Sequence, residues 1–259
     1  MSVNWNEIQK EMFPIKDYAD LRRRWQDAFA YPFVCETYNF SMLEMAVYTQ
    51  HLLGEDTRNR YTEYAQRLME TCHRLHRDGV RDIQSLIRQI NTCEEFEIFT
   101  EQTAAVEPKE LMALLKYLVY WFIPSRKLLS ELVSRNSSVD DAIQVLRNQG
   151  LRTNLDILQQ GRTLAARKAM AKGSGLPETI VNEFVNRADF SRLPWASKAT
   201  ISNIIGAGYG SLSKLANANP EQLSRDFYNY GISIGKNLKF GNEIDNSYRI
   251  AKMMPVVLE

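Results

Sequence analysis

Apolar residues recur at intervals of three and four along most of the chain, the spacing expected for the buried face of an α-helix. In the segment YTEYAQRLMETCHRL this face comprises Tyr61, Tyr64, Ala65, Leu68, Cys72 and Leu75. The segments DIQSLIRQI, SVDDAIQVLRNQG and LPETIVNEFVNRA repeat the pattern. No segment shows the long alternation of apolar and polar residues that is typical of strands. The pattern therefore predicts an all-α fold built from many short helices.

Proline and glycine mark where several of these helices begin and end. Pro108 and Pro177 stand near predicted helix starts, and Gly79 and Gly150 stand where helices would be capped. The most apolar segment, LMALLKYLVYWFI at Leu111–Ile123, is shorter than the roughly 18–20 residues that cross a bilayer, and it contains Lys116. It is better interpreted as a buried helix, and no membrane association is expected.

Two segments that follow a glycine resemble each other. Aligning GVRDIQSLIRQINT with GLRTNLDILQQGRT matches Gly79/Gly150, Arg81/Arg152 and Thr92/Thr163. A third, shorter copy begins at Gly208 with GYGSLSKLANANPEQL. Such a pattern indicates degenerate internal repeats, in which each unit is a helical hairpin too small to fold alone.

Charge differs between the two parts of the chain. Residues 151–259 contain 14 Lys and Arg against 9 Asp and Glu, whereas residues 1–150 contain 18 against 22. We predict a helical region at residues 1–140 and a second domain at residues 141–259, joined through the polar segment SRNSSVDD. The net charge of +5 on residues 151–259 permits nucleic-acid binding without requiring it.

From about Gln149 onward, the chain resembles an uncharacterised tandem helix-hairpin-helix family, catalogued as a domain of unknown function. The segments that resemble it are QGLRTNLDILQQGRTLAARKAMAKGSGL, then IVNEFVNRADFSRLPWASKATISNIIGAGYGSLSKLANANPEQL, and finally RIAKMMPVV. The resemblance implies two consecutive helix-hairpin-helix units in one compact helical domain, and no assigned activity. Most members of the wider superfamily bind the backbone of DNA or RNA without reading its sequence.

The hairpin of that superfamily has the pattern Leu-Pro-Gly-apolar-Gly, whose backbone N–H groups hold a phosphate at a helix N-terminus. Leu193 and Pro194 match this pattern, but Trp195 and Ser197 occupy the two glycine positions. Ser197 can cap the following helix and offer a hydroxyl group to phosphate. Trp195 would crowd a phosphate, so a second interpretation is that the turn only holds helices together. The glycines of GAGYG, Gly206 to Gly210, are predicted to cap one helix and link it to the next.

Basic residues accompany this hairpin and can follow a phosphate backbone. The candidate nucleic-acid-binding residues are Arg162, Arg167, Lys168, Arg192, Trp195, Ser197, Lys198 and Lys214. Lys172 and Arg187 extend the same basic cluster. The alternative interpretation is an ordinary solvated face. A further basic run, Arg22 to Arg24, is surrounded by aspartates and is expected to form local ion pairs.

Catalytic and metal-binding patterns find little support. Cys72 and His76 stand four residues apart, but no second pair with matching spacing completes a zinc site. Lyases of the resembling superfamily use a lysine just past the hairpin, and here that position is Ala199. We therefore predict no catalytic residue, no metal and no cofactor.

The expected function is non-enzymatic, sequence-independent binding of a DNA or RNA backbone by residues 141–259. The alternative is a protein–protein adaptor that keeps the helical hairpins without a phosphate site. Two aromatic-rich segments, WQDAFAYPFVCETYNF and YLVYWFIP, form either the core of the N-terminal region or a surface for a protein partner or homo-oligomer. An N-terminus without a basic leader and apolar core favours the cytoplasm, and three widely spaced cysteines favour reduced thiols.

Overall fold

The structure is a computed structural model that describes residues 3–54, 61–103, 106–134, 136–194, 196–238 and 242–259. Within these ranges there are 17 α-helices and two π-helical turns, and no strand. The predicted all-α fold is confirmed. None of the helices in these ranges is both long enough and apolar enough to span a bilayer.

The first of two compact units comprises residues 1–123. Its helices are α1 (Trp5–Met12), α2 (Tyr18–Phe29), α3 (Pro32–Thr37), α4 (Met42–Thr49), α5 (Thr62–Arg77), α6 (Ile83–Gln89), α7 (Cys93–Gln102) and α8 (Pro108–Tyr117). The two π-helical turns follow α4 and α8, at Gln50–Gly54 and Leu118–Phe122.

Aromatic side chains fill the core of this unit. Trp25, Phe33, Tyr38, Phe96 and Tyr117 are all buried. Five of the ten aromatic residues in the two aromatic-rich segments are buried in this core, since large apolar rings gain most from removal from water, and the other five are half-buried. The predicted local pairing of the arginine run is confirmed for Arg23 and Arg24, which both pair with Asp20.

The second unit comprises residues 124–259. Its helices are α9 (Leu129–Leu132), α10 (Ser137–Asn148), α11 (Asn154–Gln160), α12 (Leu164–Ser174), α13 (Glu178–Phe190), α14 (Lys198–Gly206), α15 (Leu212–Ala216), α16 (Pro220–Ser233) and α17 (Asn242–Ala251). Helix α13 packs against both α11 and α12, and α14 packs against α9, α16 and α17.

The units divide after Ile123, and not near residue 140 as expected from the sequence. The polar segment SRNSSVDD overlaps the start of α10, where the Asn136 side chain accepts a hydrogen bond from Val139 N. Upstream of it, Leu128 forms an isolated β-bridge with Thr153. Residues 124–134 therefore belong to the second unit, because their backbone pairs within it.

A glycine C-cap recurs among the described residues, at Gly79, Gly150, Gly208 and Gly235, and at the first three of these the chain that follows is also alike. Gly79, Gly150 and Gly208 all have positive φ angles, at 85°, 84° and 98°. In each case the N–H of the next residue donates to a carbonyl five residues back, as Leu151 N does to Leu146 O at 3.0 Å. This is the bond of a Schellman C-cap, which favours glycine because other residues are strained at positive φ.

The repeated turn continues identically beyond the glycine. Three residues later stands the N-cap of a short helix: Asp82 before α6, Thr153 before α11 and Ser211 before α15. Each N-cap side chain accepts a hydrogen bond from the third residue of its helix. The glycine alignment made from the sequence is thus confirmed as a recurring backbone structure.

Candidate nucleic-acid interface

The candidate interface is the turn that joins α13 to α14. Leu193 and Ala196 are buried beneath this turn, whereas Ser197 and Lys198 are exposed. Ser197 is the N-cap of α14, and its Oγ accepts a hydrogen bond from Thr200 N at 3.0 Å. The predicted cap is confirmed. Trp195, the remaining candidate residue of this turn, lies outside the described residues.

The first turn of α14 offers hydrogen-bond donors to solvent. The leading N–H groups of a helix have no acceptor within the helix, and Ser197 satisfies only that of Thr200. The partial positive charge of the helix N-terminus adds to the charge of Lys198. Together these groups can bind an anion such as a phosphate.

A lysine from another part of the unit supports the turn from within. Lys127 Nζ donates hydrogen bonds to Ser191 O at 3.2 Å and to Ala196 O at 3.4 Å. It thereby connects both ends of the turn to the segment before α9. Burial lowers the pKa of Lys127, an effect that Glu131 opposes.

Asn154 completes this support. Its Nδ2 donates to Ser125 O and to Ser191 Oγ, each at 2.9 Å, and its Oδ1 accepts from Lys127 N at 2.8 Å. Ser191 Oγ in turn donates to Ala188 O at 2.7 Å. Ser125, Lys127, Asn154 and Ser191 are called the turn network below. It fixes the end of α13 and the turn, because each buried polar group has a partner.

Arg192 was predicted to bind phosphate, and the structure removes it from the interface. Its side chain is 1% exposed, and it pairs with the buried carboxylate of Asp189, with Nη2–Oδ1 at 2.5 Å and Nε–Oδ1 at 2.8 Å. Its Nη1 donates to Pro255 O at 3.0 Å. Burial raises the pKa of the Asp189 carboxyl, while Arg192 opposes that rise. Arg192 therefore acts inside the unit.

Arg167 is likewise buried and does not belong to an exposed basic stripe. Its Nε donates to Gly161 O at 2.7 Å, and its Nη2 donates to Arg162 O and Glu259 O. Burial lowers the pKa of its guanidinium. Arg187 also has internal partners, since its Nη1 donates to Leu132 O and Ser202 Oγ.

The remaining predicted residues reach solvent to different degrees. Lys168 is exposed on α12, and Arg162 is half-buried before it. Lys214 is exposed on α15, where its Nζ donates to Gly208 O at 2.6 Å and lies over the Tyr209 ring. Of the seven candidates that the structure describes, four are exposed: Lys168, Ser197, Lys198 and Lys214.

The glycine-rich link GAGYG has a structural role, as predicted. Gly206 ends α14, and a Cβ at this position would lie 2.1 Å from the Tyr230 ring. Any other residue here would have to displace the Tyr230 side chain of α16. No group of three or more histidine, cysteine, aspartate or glutamate side chains that could hold a metal ion occurs among the described residues.

Sequence reasoning missed Lys127, Asn154 and Asp189. A signal for Asn154 was present in the sequence, because this polar residue aligns with an apolar residue, Ile83, in the first repeated turn. Asp189 stands three residues before Arg192, a spacing that allows a helical ion pair. Lys127 carried no such signal, since its partners are distant along the chain.

Comparison with known proteins adds one finding. No curated protein and no solved structure matches the chain. A family model does match residues 136–234, which extend from the N-cap of α10 to the end of α16. The second unit is therefore similar, over this range, to the family described as Domain of unknown function (DUF4332).

Proposed function

We propose that the second unit is a tandem helix-hairpin-helix domain that binds the backbone of DNA or RNA without reading the bases. The observation that carries this proposal is the exposed first turn of α14, where Ser197 and Lys198 accompany the helix N-terminus. In this proposal the α13–α14 turn is the hairpin that contacts phosphate, and the glycine turns at Gly150 and Gly208 join other helix pairs of the same domain.

The chemistry of this turn suits phosphate better than bases. Backbone N–H groups, a serine hydroxyl and a lysine ammonium all donate hydrogen bonds to phosphate oxygens. None of them forms the paired donor and acceptor pattern that distinguishes one base from another. Binding would therefore depend on charge and be insensitive to sequence.

Rigidity supports the same proposal. The turn network holds the turn at Ser191 and Ala196, so that little ordering would be needed on binding. Lys168 and Lys214 add exposed positive charge in the same unit, which raises the rate of encounter with a polyanion.

The test is binding of labelled single- and double-stranded DNA and RNA at 50 and 200 mM salt. We expect affinity to fall steeply as salt increases, because phosphate contacts release counterions. Lys198→Glu should weaken binding about ten-fold or more. It should also reduce the slope of log affinity against log salt concentration by about one. Lys10→Glu, an equal charge change at an exposed lysine of α1, should have little effect.

Two results would contradict the proposal. The protein binds no nucleic acid at 50 mM salt, or Lys198→Glu and Lys10→Glu lower the affinity for nucleic acid equally. Arg192→Glu is not a suitable probe. It would place two carboxylates together in the interior at Asp189, and loss of binding would then report unfolding.

A protein–protein adaptor remains the second candidate. The observation that favours it is a pair of apolar side chains one turn apart on α16, Tyr228 and Ile232, which are 54% and 61% exposed. Exposed aromatic and aliphatic side chains are common at protein interfaces. Absence of nucleic-acid binding, together with concentration-dependent association in sedimentation experiments, would favour this candidate.

A further inference from the structure

A cavity of about 550 Å³ lies within the second unit, beside the two arginines that the sequence had suggested as phosphate ligands. Side chains of α12, α13, α15 and α17 line it, together with the segment 254–259. Its volume falls within the range of sites for small molecules, roughly 300–1,000 Å³. The cavity is called the arginine cavity below.

Three buried charged side chains line the arginine cavity: Arg167, Asp189 and Arg192. Asp189 is committed to Arg192 by two hydrogen bonds, with Oδ1 accepting from both Nε and Nη2. That pair is locally neutral. The lining also includes Glu259, and the carboxylates of Asp189 and Glu259 both oppose the lowering of the Arg167 pKa by burial.

Arg167 is 8% exposed, and its hydrogen bonds go to main-chain oxygens of Gly161, Arg162 and Glu259. Among the described residues, no side-chain carboxylate forms an ion pair with it. All of these bonds use Nε and Nη2, and none of them uses the Nη1 hydrogens. A buried guanidinium is costly unless an anion accompanies it.

The rest of the lining divides into polar and apolar parts. Lys252 is an exposed lysine on the lining, where its Nζ lies over the Tyr248 ring, and Asn186 adds an amide, whereas the Asn217 amide donates to Ser213 O. Leu212, Met254 and Val257 are buried and provide apolar surface. A few convergent donors in a largely apolar cavity are typical of a site that orients a small ligand.

We propose that the arginine cavity binds a small organic anion with an apolar body. Its phosphate or carboxylate group accepts hydrogen bonds from Arg167 Nη1 and is attracted by Lys252. Its apolar part lies against Leu212, Met254 and Val257. The proposal does not depend on nucleic-acid binding, because Lys198 and Ser197 do not line this cavity.

Isothermal titration calorimetry on the full chain at pH 7 in a low-chloride buffer tests the proposal. The probes are phenyl phosphate and benzoate, with phenol as the uncharged match. We expect at least one of the two anions to bind and phenol not to bind. Arg167→Gln should weaken binding of that anion at least about ten-fold, because a charge-assisted hydrogen bond is lost.

Arg167→Gln also removes hydrogen bonds that hold the main chain, so its fold must be checked by circular dichroism. If this variant does not fold, Lys252→Gln serves as the test of anion binding, since this exposed side chain can be changed without unfolding the protein. Lys252→Gln should weaken binding about three-fold, whereas Lys236→Gln, at an exposed lysine outside the cavity, should not.

Three results would overturn the proposal. Neither anion binds the unaltered protein; or folded Arg167→Gln binds the anion with unchanged affinity; or Lys236→Gln weakens binding as much as Lys252→Gln. The first result would mean that the main-chain oxygens around Arg167 already satisfy it, and that the cavity holds only water.

Discussion

Asn154 connects three separate parts of the second unit through one buried side chain. Its carboxamide contacts Ser125, Lys127 and Ser191, and it is fully buried. A buried amide with all its partners stabilises a single arrangement, whereas removal of the amide leaves those partners unsatisfied.

We expect Asn154→Ala to lower the free energy of unfolding by about 2–3 kcal/mol, since three hydrogen bonds are lost and buried partners remain unpaired. Urea unfolding followed by circular dichroism measures the change. Asn148→Ala is the matched control, because Asn148 is exposed on α10, and it should change stability by less than about 0.5 kcal/mol. A loss below about 1 kcal/mol for Asn154→Ala would contradict a supporting role.

Individual residues were predictable from the sequence where their partners are local. The Ser197 cap was identified because its acceptor and donor are three residues apart. Arg192 was misassigned because its exposure depends on Pro255 and the segment 254–259, which are distant in sequence. A basic residue near a hairpin therefore does not reveal whether it faces solvent or the interior.

Among the elements, the repeated glycine turn sets where each short helix begins. Gly150 has a φ of 84°, and a Cβ there would meet no neighbouring atom within 4 Å. Any cost of substitution at Gly150 therefore comes from the backbone conformation and not from crowding. Gly173, inside α12, has equally open space and no positive φ.

We expect opposite effects at these two glycines. Gly150→Ala should lower the melting temperature, with a loss of about 1–2 kcal/mol, because alanine is strained at positive φ. Gly173→Ala should raise stability by up to about 1 kcal/mol, because alanine favours a helix. Thermal unfolding measures both, and a shift of the same sign for the two variants would refute this account of the turn.

The spacing of glycines and N-caps made these turns visible in the sequence, since both signals are short-range. The segment SRNSSVDD shows the limit of such signals. Its polar composition suggested a linker, yet Asn136 caps α10 and Asp140 lies in the first turn of that helix. A helix N-terminus and a linker share the same polar residues, and only packing separates them.

For the molecule as a whole, the position of the boundary decides which residues fold together. Residues 124–259 form one of the two units, and the turn network joins Ser125 and Lys127 to α11 and α13. A fragment that starts at residue 141 would lose α9, the Leu128–Thr153 bridge and the start of α10.

We therefore expect residues 124–259 to fold alone, with a helical circular dichroism spectrum and one cooperative thermal transition. A fragment of residues 141–259 should melt at a lower temperature or show no cooperative transition. Equal melting temperatures for the two fragments would mean that residues 124–140 are not part of this unit.

The sequence separation of these contacts bears on the order in which they form. The turn at Gly150 closes between residues 146 and 151, and it can form on the time scale of helix growth. Pairing between residues 128 and 153 must close a longer loop, which costs more chain entropy. We therefore expect the repeated turns to form early in folding. The segment around Lys127 is expected to pack against the second unit later, and its hydrogen bonds then complete the hairpin turn.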